Sequence, residues 1–263
     1  MSDRKIAVIT GASSGIGAVY ADRLAKRGYD LVIVARRLDR LEALADKIRK
    51  AHGAKVETLQ ADLEKDSDIA RVEHLLSTNP AIRVLVNNAG VARLKPLEQS
   101  SLQESLSQIA LNITALTRLT HALLPAFRKL NDGLIINIAS VLSIHAWSAS
   151  AVYSGTKGFV LNFSRGLQEE LASTGVKVQL VNPATTATEI WDNSGIPISA
   201  LNQDSIMTTE NLVDAALAGL DAGEKITWPS VADATLWEKY DEARGKLFTA
   251  TQTGKPAPRY NVA

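Results

Sequence analysis

Short apolar runs alternate along this chain with longer stretches in which apolar residues recur every three or four positions. The short runs lie at residues 5–10, 31–35, 55–60, 82–86, 134–138 and 176–181, with a weaker one at 225–228. Their length and their Val, Ile and Leu content predict strands buried on both faces. Residues 18–27, 38–51, 66–77, 101–130, 151–173, 210–222 and 232–248 read as helices. In the second of these, Leu41, Leu44, Ala45 and Ile48 fall on one face. Regular alternation of strand and helix predicts an α/β fold, a doubly wound, mainly parallel sheet of about seven strands with helices on both faces. Regularity fades at residues 189–209, where Gly195 and Pro197 interrupt scattered Trp191, Ile196, Ile198 and Met207. An irregular segment placed there reads as a substrate lid. Residues 229–263 read as a C-terminal extension that ends in a loop or arm.

Composition narrows the possibilities. The 263 residues are 46% hydrophobic and 22% charged, and the formal net charge is +1. That is a globular composition with no broad attraction to nucleic acid or to an anionic membrane. Cysteine is absent, which excludes disulfides, thiolate metal sites and cysteine catalysis, and no metal site is assigned. The N-terminus runs straight into a strand-like segment without a signal-peptide core, and no apolar run approaches the ~18 residues of a membrane span. A cytoplasmic location is expected. With no internal repeat and no low-complexity linker, residues 1–263 read as one domain.

Candidate chemistry gathers where strands end. The first strand runs into Gly11-Ala-Ser13-Ser14-Gly15-Ile16-Gly17 and then a helix. Strand, glycine turn and helix N-terminus form an arrangement suited to a pyrophosphate, which needs close backbone approach and unpaired N–H groups. The second strand ends in Arg36 and Arg37, with no carboxylate at that point. Arginine there suits a 2′-phosphate, whereas an NAD-preferring site offers Asp or Glu to the free hydroxyl. Arg36 stands immediately after the strand and Arg37 follows it. The fourth strand ends in Asn87-Asn88-Ala89-Gly90, and Asn112 interrupts the long helical stretch, where its propensity is poor. The fifth strand delivers Ser140. Tyr153 and Lys157 then stand four residues apart on one helix face. An ammonium beside a phenol favours the phenolate, and a neighbouring hydroxyl can hold a carbonyl oxygen. Together they suit proton transfer to an alcohol/ketone pair.

With these residues in order, the chain resembles the short-chain dehydrogenase/reductase family. The resemblance rests on Thr10 to Gly17, Asp62, Asn87 to Gly90, Asn112, Ser140, Tyr153, Lys157, and Asn182-Pro183 with Thr188. It implies a single-domain, Rossmann-type NAD(P)-binding fold. It also implies that Tyr153 is the general acid/base, that Lys157 lowers its pKa and binds the nicotinamide ribose, and that Ser140 holds the substrate oxygen. Asn112 would keep the lysine and a relay water in place. Asp62 and Leu63 would flank the adenine and Asn88, Ala89 and Gly90 the adenosine side, while Pro183, Thr186 and Thr188 would lie by the nicotinamide. The expected cofactor is NADP(H), with NAD(H) the alternative; the resemblance ranks Arg36 above Arg37, because the family residue immediately after the strand more often meets the phosphate. The expected activity is that of a carbonyl reductase or alcohol dehydrogenase. A nucleotide-binding regulator without catalysis is the competing class. The resemblance further implies a homo-oligomer, tetramer or dimer. Pro183 is followed by Ala184 where the family has glycine, a substitution that strains the backbone if φ there is positive. Ile144, Trp147 and Trp191 point to an apolar or ring-containing small-molecule substrate. His145 reads as incidental.

Overall fold

Seven strands pair in the order β3-β2-β1-β4-β5-β6-β7, and every pairing is parallel. They are β1 (Ile6–Thr10), β2 (Asp30–Ala35), β3 (Val56–Gln60), β4 (Ile82–Asn87), β5 (Gly133–Ile138), β6 (Val176–Val181) and the short β7 (Ile226–Thr227). Each of the first six occupies one of the apolar runs of the sequence. The computed structural model describes residues 4–262. The chain divides between Pro229 and Ser230 into two compact units, Met1–Pro229 and Ser230–Ala263. The second unit carries one helix, Thr235–Ala250, where the apolar pattern places one. Among the described residues no helix is long and apolar enough to cross a membrane.

The pleat explains the two cores. Successive strand side chains point to opposite faces. Ala7, Ile9, Leu31, Ile33, Val84 and Val86 meet α1 (Gly15–Lys26), α2 (Leu38–His52) and α7 (Thr209–Asp221) on one face. Val8, Val32, Val34, Leu85 and Ile135 meet α3 (Asp66–Thr78) and α5 (Leu116–Leu130) on the other, with Leu167 of α6 (Ala151–Glu170). Burial on both faces is why the strands are continuously apolar rather than alternating.

The long helical stretch is not one helix. It comprises α4 (Leu102–Ile109), a π-helical turn (Ala110–Ala115) and α5. The N-terminus of α4 is fixed by a capping box between Ser101 and Glu104. The π turn holds Asn112, the residue that propensity would not place there.

The irregular segment has more order than its sequence suggests. It contains three short 3₁₀ turns, Glu189–Asn193, Ile198–Ala200 and Gln203–Ser205. Its ends are tied together, because Met207 N–H donates to Thr185 and Ala187 N–H donates to Met207, both at 2.9 Å. Residues 188–206 thus leave and rejoin the fold at one place, in the manner of an Ω-loop.

Candidate active site

Strand order reverses at β1 and β4, the switch point where open α/β sheets leave a crevice at the strands' C-terminal ends. A cavity of about 770 Å³ opens there, large enough for a dinucleotide with a small molecule beside it.

The glycine turn forms one wall. Gly11 and Gly15 have φ of +67° and +57°, a region that side chains disfavour. A Cβ on Gly17 would lie 2.5 Å from the Gly11 carbonyl oxygen, so the turn closes only with glycine there. Gly17 itself is buried beneath the wall. The Asn88 amide Nδ2 donates to the Thr10 and Gly11 carbonyls at 2.9 and 3.2 Å, while the Thr10 hydroxyl accepts from Asn88 and Ala89 N–H groups. Asn88 therefore braces the turn. The first N–H groups of α1 face the cavity with no side-chain cap from Ser14, which leaves them for an anion.

The two arginines diverge. The Arg37 guanidinium donates to the Ser13 and Ser14 hydroxyls, both at 2.9 Å, and to Glu189 at 2.7 Å. Arg36 is exposed at the cavity rim. Among the described residues no hydrogen bond or ion pair holds its side chain. Arg40, which the sequence reading did not single out, also lines the cavity and donates to Glu189 at 2.5 Å. Asp62, Leu63, Ala89 and Gly90 also line the cavity.

At the other end stand Ser140, Tyr153 and Lys157, all buried. Ser140 caps a 3₁₀ turn (Val141–Ser143) and accepts from Leu142 N–H at 3.1 Å, which leaves its O–H to donate. Against the lowering expected from Lys157, burial pushes the Tyr153 phenol up to about 12, and only a hydrogen bond with Ser140 opposes that rise. Burial brings Lys157 down to about 8. Its Nζ donates to the Ile138 carbonyl at 3.0 Å and lies 5.7 Å from the centroid of the Tyr153 ring.

Asn112 does not line the cavity. Its amide accepts from Val91 N–H at 2.9 Å and donates to the Val91 carbonyl at 2.9 Å and to Thr156 Oγ1 at 3.0 Å. It clips the strand β4 loop to α6 one residue before Lys157. A Cβ on Gly90 would lie 3.1 Å from the Asn112 oxygen and 3.7 Å from Lys157 Nζ, so Gly90 lets the two elements close.

Pro183, Thr186 and Thr188 line the cavity. Among the described residues only Asn131 and Asn261 combine a side chain with positive φ, so Ala184 carries no left-handed strain. Trp191 donates its indole N–H to the Thr186 carbonyl at 2.8 Å and packs with Ala92, Leu94, Leu142, Ile190 and Ile196 around Tyr153. Trp147 lines the cavity but is 45% exposed, and Ile144 lies outside it. Met207 packs instead against the α1 side of the core. His145 is exposed and away from the cavity. Arg93 and Leu94, missed in the sequence, hold the segment after Thr188: Arg93 donates to the Asn193 carbonyl at 3.0 Å and Leu94 N–H to Ser194 at 2.5 Å.

Known proteins share this fold. The chain matches the short chain dehydrogenase family model over residues 5–196. A short-chain dehydrogenase from Sphingobium yanoikuyae, solved in complex with NADPH, superposes with a TM-score of 0.94 at 44% identity, covering 97% of this chain and 100% of its own. A bulky-bulky ketone specific alcohol dehydrogenase from Comamonas testosteroni superposes with a TM-score of 0.89 at 38% identity, covering 98% and 99%. The 17-beta-hydroxysteroid dehydrogenase type 3 of Homo sapiens is 37% identical over 184 residues, 69% of this chain and 59% of its own length. The chain thus spans less than two thirds of that relative. It belongs to the short-chain dehydrogenase family of oxidoreductases.

Proposed function

We propose that the protein is an NADP(H)-dependent carbonyl reductase or alcohol dehydrogenase that interconverts a bulky, apolar ketone and its secondary alcohol. The carrying observation is the placement of Ser140, Tyr153 and Lys157 at one end of a cavity whose other end holds the glycine turn, Arg36 and Arg37. When bound, NADPH supplies the hydride. A ketone oxygen held by the Ser140 hydroxyl accepts the Tyr153 proton as negative charge develops on it. The raised value of Tyr153 keeps the phenol protonated near neutral pH, the form that reduction requires. Lys157 sits against the tyrosine face with donors left for a ribose, and Asn112 acts by positioning the loop and α6. Leu94, Leu142, Trp147, Ile190, Trp191 and Ile196 supply an apolar wall. The bulky-ketone specificity of the Comamonas relative supports the substrate class, and the NADPH complex of the Sphingobium relative supports the cofactor.

A cytoplasmic homo-oligomer belongs to the same proposal. Leu102, Leu106 and Ile109 expose one apolar stripe on α4. Sedimentation of the purified protein tests it. Turnover of diaryl and dialkyl ketones with NADPH and with NADH tests the activity. Preference for NADPH and for bulky ketones is expected, and no turnover of any ketone would overturn the assignment.

A further inference from the structure

Glu189 opens the lid segment, yet its carboxylate lies at the adenosine end of the cavity. It accepts from Arg37 Nη1 at 2.7 Å and from Arg40 Nη1 at 2.5 Å. Those guanidinium groups and the Ser13 and Ser14 hydroxyls that Arg37 also holds form a cationic cradle at the end of β2. The cradle would fit an oxyanion, and Glu189 fills it with one from the chain itself. The neighbouring Thr188 packs against the start of α1, 3.2 Å from where a Gly15 Cβ would sit.

We propose that Glu189 is a stand-in anion for the cofactor's 2′-phosphate, and that entry of the phosphate displaces it and unfastens the first turn of the lid. This rests on the NADP(H) reading above. A phosphate monoester carries close to two negative charges and three acceptor oxygens, against one charge and two oxygens for the carboxylate. Both anions compete for the same Arg37 and Arg40 forks, so the dianion takes them. Released, residues 189–193 lose their tether to β2 and α2, while the Arg93–Asn193 and Leu94–Ser194 bonds still hold the far end of that turn. A cofactor without the 2′-phosphate offers nothing to exchange with Glu189. Glu189 thereby becomes a determinant of cofactor choice from outside the β2 end, where Arg36 and Arg37 stand, and it couples that choice to the lid over the substrate.

The pairs are 40–45% exposed, so the competition is modest. Part-exposed ion pairs of this kind shift an affinity by about two- to tenfold. The test uses adenosine 2′,5′-bisphosphate and 5′-AMP, neither of which has a nicotinamide to draw the lid in. Calorimetry with wild type, Glu189→Gln and Glu189→Ala is expected to show adenosine 2′,5′-bisphosphate binding about two- to tenfold tighter to both variants, with 5′-AMP unchanged. Hydrogen exchange is expected to show faster amide exchange in residues 189–193 of wild type when adenosine 2′,5′-bisphosphate is added, and no response to 5′-AMP. Unchanged or weaker binding of the bisphosphate to the variants, or protection of residues 189–193, would overturn the exchange of anions while leaving the NADP(H) reading in place. Equal wild-type affinity for the two nucleotides would overturn the NADP(H) reading and the inference with it.

Discussion

Lys157 meets Tyr153 across the face of its ring, with the ammonium 5.7 Å from the ring centroid and its hydrogen bond directed to the Ile138 carbonyl. Both groups are buried, and burial moves them in opposite directions, the lysine down to about 8 and the tyrosine up to about 12. Between its folded value and its ordinary one near 10.5, the lysine is protonated more fully in the unfolded chain than in the folded one. Stability therefore rises with pH through that window. The tyrosine has the opposite effect above its ordinary value of 10, where the unfolded chain loses the proton first. The window free of the tyrosine is pH 8 to 10. There the wild type is expected to gain on the order of 1–3 kcal/mol relative to Lys157→Met. Urea titrations of both proteins across this range check it, and parallel pH profiles would show that Lys157 is not desolvated.

Asn112 satisfies both backbone groups of Val91, which nothing else in its surroundings replaces. Asn112→Leu keeps the branched shape and orphans a part-buried donor and acceptor, at about 1 kcal/mol each because water reaches them in part. A fall in Tm is expected together with at least a tenfold loss of kcat, because the Gly90 loop and Lys157 shift relative to each other. Unaltered kcat in a destabilised variant would confine Asn112 to a structural role.

Much of this was legible in the sequence, and the parts that were not share a cause. The strands and the glycine turn are written in neighbouring residues. So is the Tyr153–Lys157 pair, one helical turn apart. The bonds of Asn112 to Val91 and Thr156 span 21 and 44 positions, the Arg37–Glu189 pair 152, and the Arg93–Asn193 bond 100. Such pairings depend on where elements pack, which periodicity does not encode. Asn112 stands out through its poor helix propensity and through the family resemblance, while the π turn that accommodates it leaves no mark of its own. The resemblance ranks Arg36 first, whereas it is Arg37 whose guanidinium donates to Ser13 and Ser14 of the glycine turn. The segment after residue 188 reads as irregular because its order comes from ties to Ala92, Arg93 and Leu94 and to its own ends, not from a repeating pattern.

Trp191 is a packed residue of the segment after Thr188, held by its indole hydrogen bond and by contact with Leu94 and Tyr153. Trp191→Ala is expected to raise KM for bulky ketones about tenfold and to lower stability by about 1–3 kcal/mol, less than the ~3–5 kcal/mol of a fully buried tryptophan. Kinetics with small and large ketones, beside thermal melts, check both. Unchanged KM values would remove Trp191 from the substrate wall.

Cofactor choice is expected to follow the charge at the end of β2. Charge-assisted hydrogen bonds to a 2′-phosphate are worth about 1.5–3 kcal/mol each, or about tenfold to a hundredfold in affinity. Replacing Arg36 by Asp removes one cation and adds repulsion, so the ratio of kcat/KM for NADPH over NADH is expected to invert. A wild type that uses both cofactors equally, or a variant with an unaltered ratio, would show that the arginines at this rim do not read the phosphate.

The proton donor is the centre of the account, and Tyr153→Phe tests it most directly. The ring and its packing with Leu94 and Trp191 are kept, and the phenolic oxygen alone is removed. Positioned acid/base catalysis is worth ~10² to 10⁴-fold. The expected result is a kcat at least about a hundredfold lower, with NADPH affinity within about twofold of wild type by fluorescence titration. Retention of more than about a tenth of kcat, with the cofactor bound normally, would contradict Tyr153 as the acid/base.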